Sequence, residues 1–213
     1  MLRLAIDTST PIASVALRSN DTLLEREEQV TTFSERLMAL VDELFVEAGR
    51  RPAELEAVIC GAGPGSFTGL RIGLATAKGL CLGTGCKLLM ISSLEALALR
   101  GRGTVLAALN AFRGEVYAGL YEVGDTVRVI EPPFTALPAA LPAAAQVVGN
   151  AYDKFPVPVG ATRLVGSGPR ARELLELAAP RLAGGGHDDP RTAAPSYVRA
   201  SAPEEALRAS KLP

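Results

Sequence analysis

The stretch Leu2-Arg3-Leu4-Ala5-Ile6-Asp7-Thr8-Ser9 decides how the chain folds, because apolar residues alternate along it up to an acidic residue and two hydroxyls. Successive side chains of a strand point to opposite faces, so Leu4 and Ile6 are predicted to share one face. Turn residues separate this strand from two more, which are predicted at residues 13–17 and 22–29. The chain is therefore predicted to open with a three-stranded β-meander.

Two helices are predicted after the meander, at residues 34–48 and 68–82, from apolar residues that recur at helical spacing. The second helix also carries glycines, among them Gly73 and Gly79, and each costs about 1 kcal/mol relative to alanine. Close approach of another backbone is expected to offset this cost. Because apolar residues lie around most of this helix, we expect its own sheet to cover one side and a partner the other.

The same plan begins again after Arg100-Gly101-Arg102-Gly103, which breaks the pattern. Three more strands are predicted, at residues 105–109, 115–121 and 127–130. Two meanders, each opening one half of the chain, predict a duplicated α/β fold. The subdomains are placed at residues 1–102 and 103–213.

The rest of the second half is predicted to be less regular. Prolines exclude long regular elements between residues 131 and 158, apart from a short strand at 147–149. A helix is predicted at residues 171–182, and the tail at 202–209 is also predicted to be helical. The last helix is expected to pack back on the first subdomain.

Composition narrows the class of protein. The formal net charge of −1 argues against RNA as the sole partner, because proteins that grip RNA alone usually carry a basic face. The three cysteines, Cys60, Cys81 and Cys86, form no Cys-x-x-Cys, so neither a disulfide framework nor a zinc site is predicted. Asp7 interrupts the N-terminal apolar run of a signal peptide, and no apolar stretch approaches the ~20 residues of a membrane span. These features predict a soluble cytoplasmic protein.

Two loops carry the candidate ligand-binding residues. A strand that ends in Asp7-Thr8-Ser9 resembles the first phosphate loop of the actin, Hsp70 and sugar-kinase superfamily, but the aspartate is also typical of a turn cap. The glycine loop at residues 61–65 precedes a helix, where backbone N–H groups bind anions, yet it is no Walker loop and also fits a tight turn. The candidate cofactor-binding residues are Asp7, Thr8, Ser9, Gly63, Gly65 and Ser66.

No catalytic group is predicted. Ser66 would need a base to act as a nucleophile, and the only histidine, His187, lies in a loop that is interpreted as solvated. Asp188-Asp189, beside it, is interpreted as a solvated turn, and no metal site is predicted. Arg71 and Lys78 share one side of the second helix, where they either line a cleft or extend into solvent.

Several segments together resemble the TsaB (YeaZ) family, in the same order along the chain. They are Leu4-Ala5-Ile6-Asp7-Thr8-Ser9 with residues 13–17, Gly61-Ala62-Gly63-Pro64-Gly65-Ser66-Phe67-Thr68-Gly69-Leu70-Arg71-Ile72-Gly73, Arg113-Gly114-Glu115-Val116-Tyr117 and Pro195-Ser196-Tyr197-Val198-Arg199. The chain departs from the family at Phe33, where relatives often have histidine, and at Asn110, where they have aspartate. Both departures argue against a retained nucleotide or metal site.

The resemblance implies an actin-like ATPase or RNase H-like fold with two similar subdomains. It implies a non-catalytic cytoplasmic subunit that binds the related transferase TsaD. With the ATPase TsaE, the pair would complete threonylcarbamoyl transfer to the adenosine 3′ of the anticodon in tRNAs that read ANN codons. It implies contact with tRNA only within the complex and no cofactor of the chain's own, with ATP or ADP at the interface with the partner subunits.

Members of this family pair through the two helices of the first subdomain, so the resemblance implies a heterodimer with TsaD and a homodimer without it. The residues predicted to form this interface are Leu37, Met38, Val41, Leu44, Phe45, Leu70, Gly73, Leu74, Ala77, Lys78 and Cys81. Two alternatives stay open from the residues. They are a nucleotide-binding ATPase or kinase of the same superfamily, suggested by Asp7-Thr8-Ser9 and the glycine loop, and a peptidase that uses Ser66.

Overall fold

The first half of the chain forms a five-stranded sheet in a computed structural model that describes residues 1–20, 22–30 and 33–198, with residues 33 and 34 by backbone alone. Its strands are β1 (Leu2–Asp7), β2 (Ile12–Ser19), β3 (Thr22–Gln29), β4 (Ala57–Gly61) and β5 (Lys87–Ile91), in the order β3-β2-β1-β4-β5. β1, β2 and β3 pair antiparallel, whereas β4 and β5 add in parallel. The predicted opening meander is confirmed.

The second half repeats this topology in a second five-stranded sheet. Its strands are β6 (Gly103–Asn110), β7 (Val116–Val123), β8 (Val127–Ala136), β9 (Gln146–Val148) and β10 (Thr162–Arg163), in the order β10-β9-β6-β7-β8. Three strands again form an antiparallel meander, and β9 and β10 pair in parallel. The predicted duplicated α/β fold is confirmed.

The α-helices of the described residues join and cover the sheets: α1 (Phe33–Ala48), α2 (Phe67–Thr84), α3 (Ser93–Ala98) and α4 (Ala171–Ala183). α1 and α2 pack on the face of the first sheet that carries Leu4 and Ile6, as alternation along β1 requires. α4 packs on the opposite face against small side chains such as Ala5 and Ala16. α3 covers one face of the second sheet. Among the described residues, no helix combines the length and hydrophobicity that crossing a bilayer requires.

β8 differs from its predicted extent. The prediction ended this strand at residue 130 because prolines follow, but β8 continues through Pro132 and Pro133 to Ala136. β8 lies at the edge of its sheet, where a residue without an N–H is tolerated, and its pairing with β7 shifts register near Leu120. The predicted helical tail at 202–209 lies outside the described residues.

Candidate functional site

Asp7 ends the central strand of the first sheet, and only 1% of the residue is exposed. Its Oδ1 accepts hydrogen bonds from the Ser9 N–H at 2.9 Å and from the Ser9 hydroxyl at 2.6 Å. Its Oδ2 accepts one from the Ser93 hydroxyl at 2.8 Å and lies so close to Gly61 that a Cβ there would overlap it. The carboxylate is therefore enclosed by its own chain, without space for a hydrated metal ion.

The glycine loop after β4 packs directly on the loop after β1. The Ser66 N–H donates to the Ser9 carbonyl at 2.7 Å, and the Thr8 hydroxyl donates to the Gly69 carbonyl at 2.8 Å. A Cβ at Gly65 would overlap the Ser9 carbonyl. The small residues thus let two loops of one chain touch, so these parts of the two loops face each other.

Several N–H groups of the glycine loop are already donated within the chain. The Ala62 N–H donates to a carbonyl of β5 at 2.7 Å, and the Gly63 N–H donates to the Ser93 hydroxyl at 3.2 Å. The Ser66 hydroxyl accepts from the Gly69 N–H at 3.2 Å and so caps α2. These N–H groups are therefore not available to an anion, which would need donors that are open to a ligand.

A cavity of about 320 Å³ opens between the subdomains beside these loops. The described residues that line it carry no charged side chain; they are Ser9, Thr10, Pro11, Val30, Ser66, Leu109, Asn110, Phe112 and Asn150. The Asn150 side-chain carbonyl accepts from the Asn110 N–H at 2.8 Å, so it holds the second subdomain's own backbone. This lining offers neither a cation for phosphates nor an acid for their metal ion.

The remaining polar candidates are not assembled into a catalytic group. His187 lies in an exposed loop after α4, with its Nδ1 3.1 Å from the Gly185 carbonyl oxygen. The interpretation of Asp188 as part of a solvated turn was wrong, because its carboxylate accepts from the Met90 N–H at 2.7 Å and thereby covers the edge of β5. Within the described part of the chain, no three His, Cys, Asp or Glu side chains gather as a metal site requires.

Burial raises the pKa of Asp7 above 3.8, and the hydrogen bonds from Ser9 and Ser93 only partly oppose this shift. A raised folded-state pKa means that the stability contributed by Asp7 is complete below 3.8 and is lost as pH rises through the folded value. Asp7→Asn cannot ionise, and its amide can still meet both serines. We therefore expect this variant to gain stability relative to the native chain as pH rises from 4 to 8, measured by urea unfolding.

Asp42→Asn is the matched control for this pH series, because Asp42 is exposed on α1. The stability difference between Asp42→Asn and the native chain is expected to stay nearly constant. A constant difference for Asp7→Asn as well would contradict the enclosed position of the Asp7 carboxylate.

Most of the predicted interface residues lie inside the chain, so that part of the prediction was wrong. Helical spacing places them against the first sheet, where they form its core. The buried residues are Leu37, Val41, Leu44, Phe45, Leu70, Gly73, Leu74, Ala77 and Cys81. Of the predicted set, only Met38 and Lys78 reach the surface.

The glycines of α2 have two different environments. A Cβ at Gly69 would overlap the Thr8 carbonyl, and one at Gly73 would overlap the Thr8 hydroxyl. The close approach expected from the sequence is therefore made by the chain's own β1 loop. No described residue lies within 4 Å of a Cβ at Gly79 or Gly83, so packing within the described part of the chain does not account for these glycines.

Several apolar residues are exposed on the outer surface of α1 and α2, and we call this surface the open face. Its members are Met38 and Val46 on α1 and Phe67, Ala75, Gly79 and Leu82 on α2. Met38 is 48% exposed, Val46 74% and Leu82 60%. Sequence reasoning missed most of these residues, although the signal was present as apolar positions outside the sheet-facing stripe of each helix.

An aromatic cluster borders the open face at the start of α2. The Arg71 guanidinium carbon lies 3.7 Å from the centre of the Phe67 ring, and Arg71 Nε donates to the Tyr197 hydroxyl at 3.0 Å. The two rings are 5.0 Å apart. Tyr197 is held here because the Ser196 N–H donates to the Ala62 carbonyl at 2.7 Å. Arg71 is therefore stacked at the surface and does not line the cleft.

Comparison with known proteins gives matches along most of the chain. A family model described as TsaD, tRNA N6-adenosine threonylcarbamoyltransferase, matches residues 27–201. The tRNA threonylcarbamoyladenosine biosynthesis protein TsaB of Bacillus subtilis is 38% identical over 129 residues, and that of Escherichia coli is 37% identical over 125 residues. The alignments cover 57% and 56% of this chain and 56% and 54% of those proteins, so the chain spans about half the length of the curated relatives it matches.

The matches to solved structures cover more of this chain than the matches to the TsaB sequences. YeaZ from Pseudomonas aeruginosa is 31% identical with a TM-score of 0.83, and the match covers 92% of this chain and 99% of that one. A P. aeruginosa protein described as similar to peptidase YeaZ is 31% identical with a TM-score of 0.85, and the match covers 93% of this chain and 99% of the other. An uncharacterized protein of Mycobacterium bovis is 34% identical over 70% of this chain and 71% of its own length.

Proposed function

This chain belongs to the family described by the TsaD model and, within it, to the TsaB (YeaZ) proteins, and we propose that it acts in tRNA threonylcarbamoyladenosine biosynthesis as a non-catalytic subunit that binds and supports TsaD. The observation that carries this proposal is the contrast between its two candidate sites. The two candidate phosphate loops contact each other and border a cavity whose described lining residues carry no charge, whereas the open face exposes apolar side chains on two adjacent helices.

The enclosed position of Asp7 supports a non-catalytic role. Asp7 would have to turn outward to orient a metal ion, but that would break its hydrogen bonds with Ser9 and Ser93. The chain is therefore proposed to hold no nucleotide of its own, and ATP or ADP would lie at the interface with its partners. The alternatives of a kinase or a peptidase gain no support from the position of Asp7 or Ser66.

The open face supports a role in binding. Small residues at Ala75 and Gly79 let a helix of another subunit approach α2 closely, and the flanking Met38, Val46 and Leu82 would be buried on association. A stable interface hides about 1,600 Å² in total, which two helix faces and their borders can supply. The cluster of Phe67, Arg71 and Tyr197 consists largely of residue types that dominate binding energy.

Charge suggests how the same surface serves two partners. α2 contains no acidic residue and presents Arg71 and Lys78, whereas the exposed side of α1 presents Glu35, Asp42 and Glu43. In a two-fold pair, α1 of one copy can face α2 of the other with opposite charges in contact. We therefore propose a homodimer in the absence of TsaD, which competes with the heterodimer for the open face.

The proposed route to tRNA is through the complex. A formal net charge of −1 gives this chain little attraction for phosphates by itself. We propose that it contacts the tRNAs that read ANN codons only when TsaD and TsaE are bound. Reconstitution of the modification with TsaD and TsaE, with and without this chain, tests the whole proposal, and full activity without the chain would contradict it.

Ala75→Arg tests the open face. Ala75 lies exposed in the middle of α2, so arginine should leave the fold intact while it blocks close approach of a partner helix. We expect binding to TsaD to weaken by at least about 30-fold, or roughly 2 kcal/mol. Affinity is measured by titration of TsaD, and the homodimer by sedimentation.

Ala179→Arg is the matched control, because Ala179 is an exposed alanine on α4, on the opposite side of the first sheet. It should bind TsaD like the native chain. Equal affinities for folded Ala75→Arg and Ala179→Arg would exclude the open face as the binding surface. Substitutions at Gly73 or Ala77 are unsuitable here, because both residues are buried and would report on folding.

A further inference from the structure

Cys81 and Cys86 form a close thiol pair at the junction between α2 and β5. Their sulfur atoms are 3.6 Å apart, although four residues separate them and no familiar cysteine motif marks them. Cys81 is buried in the last turns of α2, and Cys86 is half-buried just before β5. The third cysteine, Cys60, is buried in β4.

The end of α2 holds this pair together. Gly85 adopts a left-handed conformation with φ of 76°, and its N–H donates to the Cys81 carbonyl at 2.8 Å. This helix cap reverses the chain and returns Cys86 to the side of Cys81. The Thr84 hydroxyl donates to the Leu80 carbonyl at 2.8 Å and fixes the same turn. The short distance between the sulfurs is thus built into the cap.

The two thiols differ in chemical character. Contact with Cys81 lowers the pKa of the Cys86 thiol, and the nearby Thr84 hydroxyl lowers it further. The same contact, together with burial, raises the pKa of Cys81. Cys86 is also the more accessible of the two, since it is half-buried whereas Cys81 is buried. Because the thiolate is the attacking species, Cys86 is suited to react first and Cys81 to react second.

We propose that Cys81 and Cys86 are a redox couple that forms a reversible internal disulfide by exchange with a low-molecular-weight disulfide such as oxidised glutathione. The Cys86 thiolate attacks one sulfur of that disulfide, which forms a mixed disulfide and releases one thiolate. Cys81 then gives its proton to a released thiolate and attacks the Cys86 sulfur, which expels the second thiolate. The chain loses two hydrogen atoms, and one small disulfide is reduced to two thiols.

Only a small movement is required for this reaction. The sulfurs must close from 3.6 Å to about 2.05 Å, and the cap already places them side by side. Cys86 is reached from solvent in the free chain because it is half-buried, whereas Cys60 has a pKa that burial raises and is enclosed. The proposal is independent of partner binding, so it stands or falls separately from the proposed role with TsaD.

The test uses the reduced full chain, incubated with oxidised glutathione near neutral pH. After unfolding and alkylation, mass spectrometry should show that two of the three thiols are protected from the alkylating reagent. It should also show one disulfide bond between Cys81 and Cys86. In the reduced chain, iodoacetamide should modify Cys86 at least about ten times faster than Cys60. Excess dithiothreitol should restore all three thiols.

Variants separate the role of Cys86, which attacks the small disulfide, from that of Cys81, which attacks the mixed disulfide. Cys81→Ser should stop at a mixed disulfide and retain one glutathione on Cys86. Cys86→Ser should form no internal disulfide, and Cys60→Ala, the control, should oxidise like the native chain. Circular dichroism checks that each variant is folded. A native chain that keeps three reactive thiols, or one that links Cys60, would overturn the proposal.

Discussion

Gly69→Ala is expected to lower the free energy of unfolding by about 3 kcal/mol, because overpacking against backbone leaves little room to relax. A methyl group at this position would overlap the Thr8 carbonyl oxygen. The Thr8 loop cannot move aside easily, since the Thr8 hydroxyl donates to the Gly69 carbonyl and the Ser9 carbonyl accepts from Ser66. Urea unfolding of the isolated chain at one fixed concentration measures the loss.

Gly79→Ala makes the same substitution further along α2 and should have the opposite sign. Among residues 1–20, 22–30 and 33–198, none lies within 4 Å of a Cβ at Gly79, so alanine should add no clash there and should improve helix propensity by up to about 1 kcal/mol. Similar destabilisation by both substitutions would mean that α2 is not packed tightly on the β1 loop. Stability changes of opposite sign would support a role for Gly69 in the packing of the fold and a role for Gly79 at the open face.

The sheets could be predicted because their signals are local. Alternation in β1, turn residues before β3 and the break after Arg100 are each contained in a short window of sequence. The end of β8 could not be predicted in this way, because proline is tolerated only on an edge strand. That β8 lies at an edge depends on the order of strands in the complete sheet.

The helix surfaces show where sequence periodicity stops being informative. Spacing correctly identified apolar positions such as Leu37 and Met38, but it does not say what covers each of them. The sheet covers Leu37, whereas Met38 is left exposed one residue later. The prediction assigned both residues to a partner interface. It did not take into account that the first sheet already covers the stripe of α1 that contains Leu37.

The loop that contains Asp7 could not be interpreted from local sequence, because residues that are distant in the chain surround it. The motif at Asp7 predicted a candidate phosphate loop from local sequence, yet the enclosure of the Asp7 carboxylate depends on Gly61 and Ser93, which belong to other elements. The thiol pair was missed for a similar reason. Only the left-handed cap at Gly85 brings Cys86 back to Cys81, and spacing alone does not reveal that reversal.

Arg100→Leu is expected to lower the free energy of unfolding by about 3 to 5 kcal/mol, because it removes the guanidinium that is hydrogen-bonded to a buried carboxylate. Arg100 lies at the predicted subdomain boundary, and its Nε donates to Glu173 Oε1 at 2.8 Å. Its Nη2 also donates to the Gly168 carbonyl at 2.6 Å. Glu173 is 6% exposed at the start of α4, so this one side chain ties α4 to the end of α3.

The pH dependence of this loss distinguishes an uncompensated charge from lost packing. Burial raises the pKa of Glu173 above 4.5, and Arg100 opposes that shift, so removing Arg100 raises the pKa further. A raised folded-state pKa favours the folded chain at low pH and costs stability as pH rises through it. The deficit of Arg100→Leu in urea unfolding should therefore shrink as pH is lowered from 7 towards 4.5.

Arg172→Leu is the control, since its pair with Glu25 at 3.2 Å is exposed and should be worth at most about 1 kcal/mol. A deficit for Arg100→Leu that matches this control, or that stays constant with pH, would contradict a structural role for the buried pair.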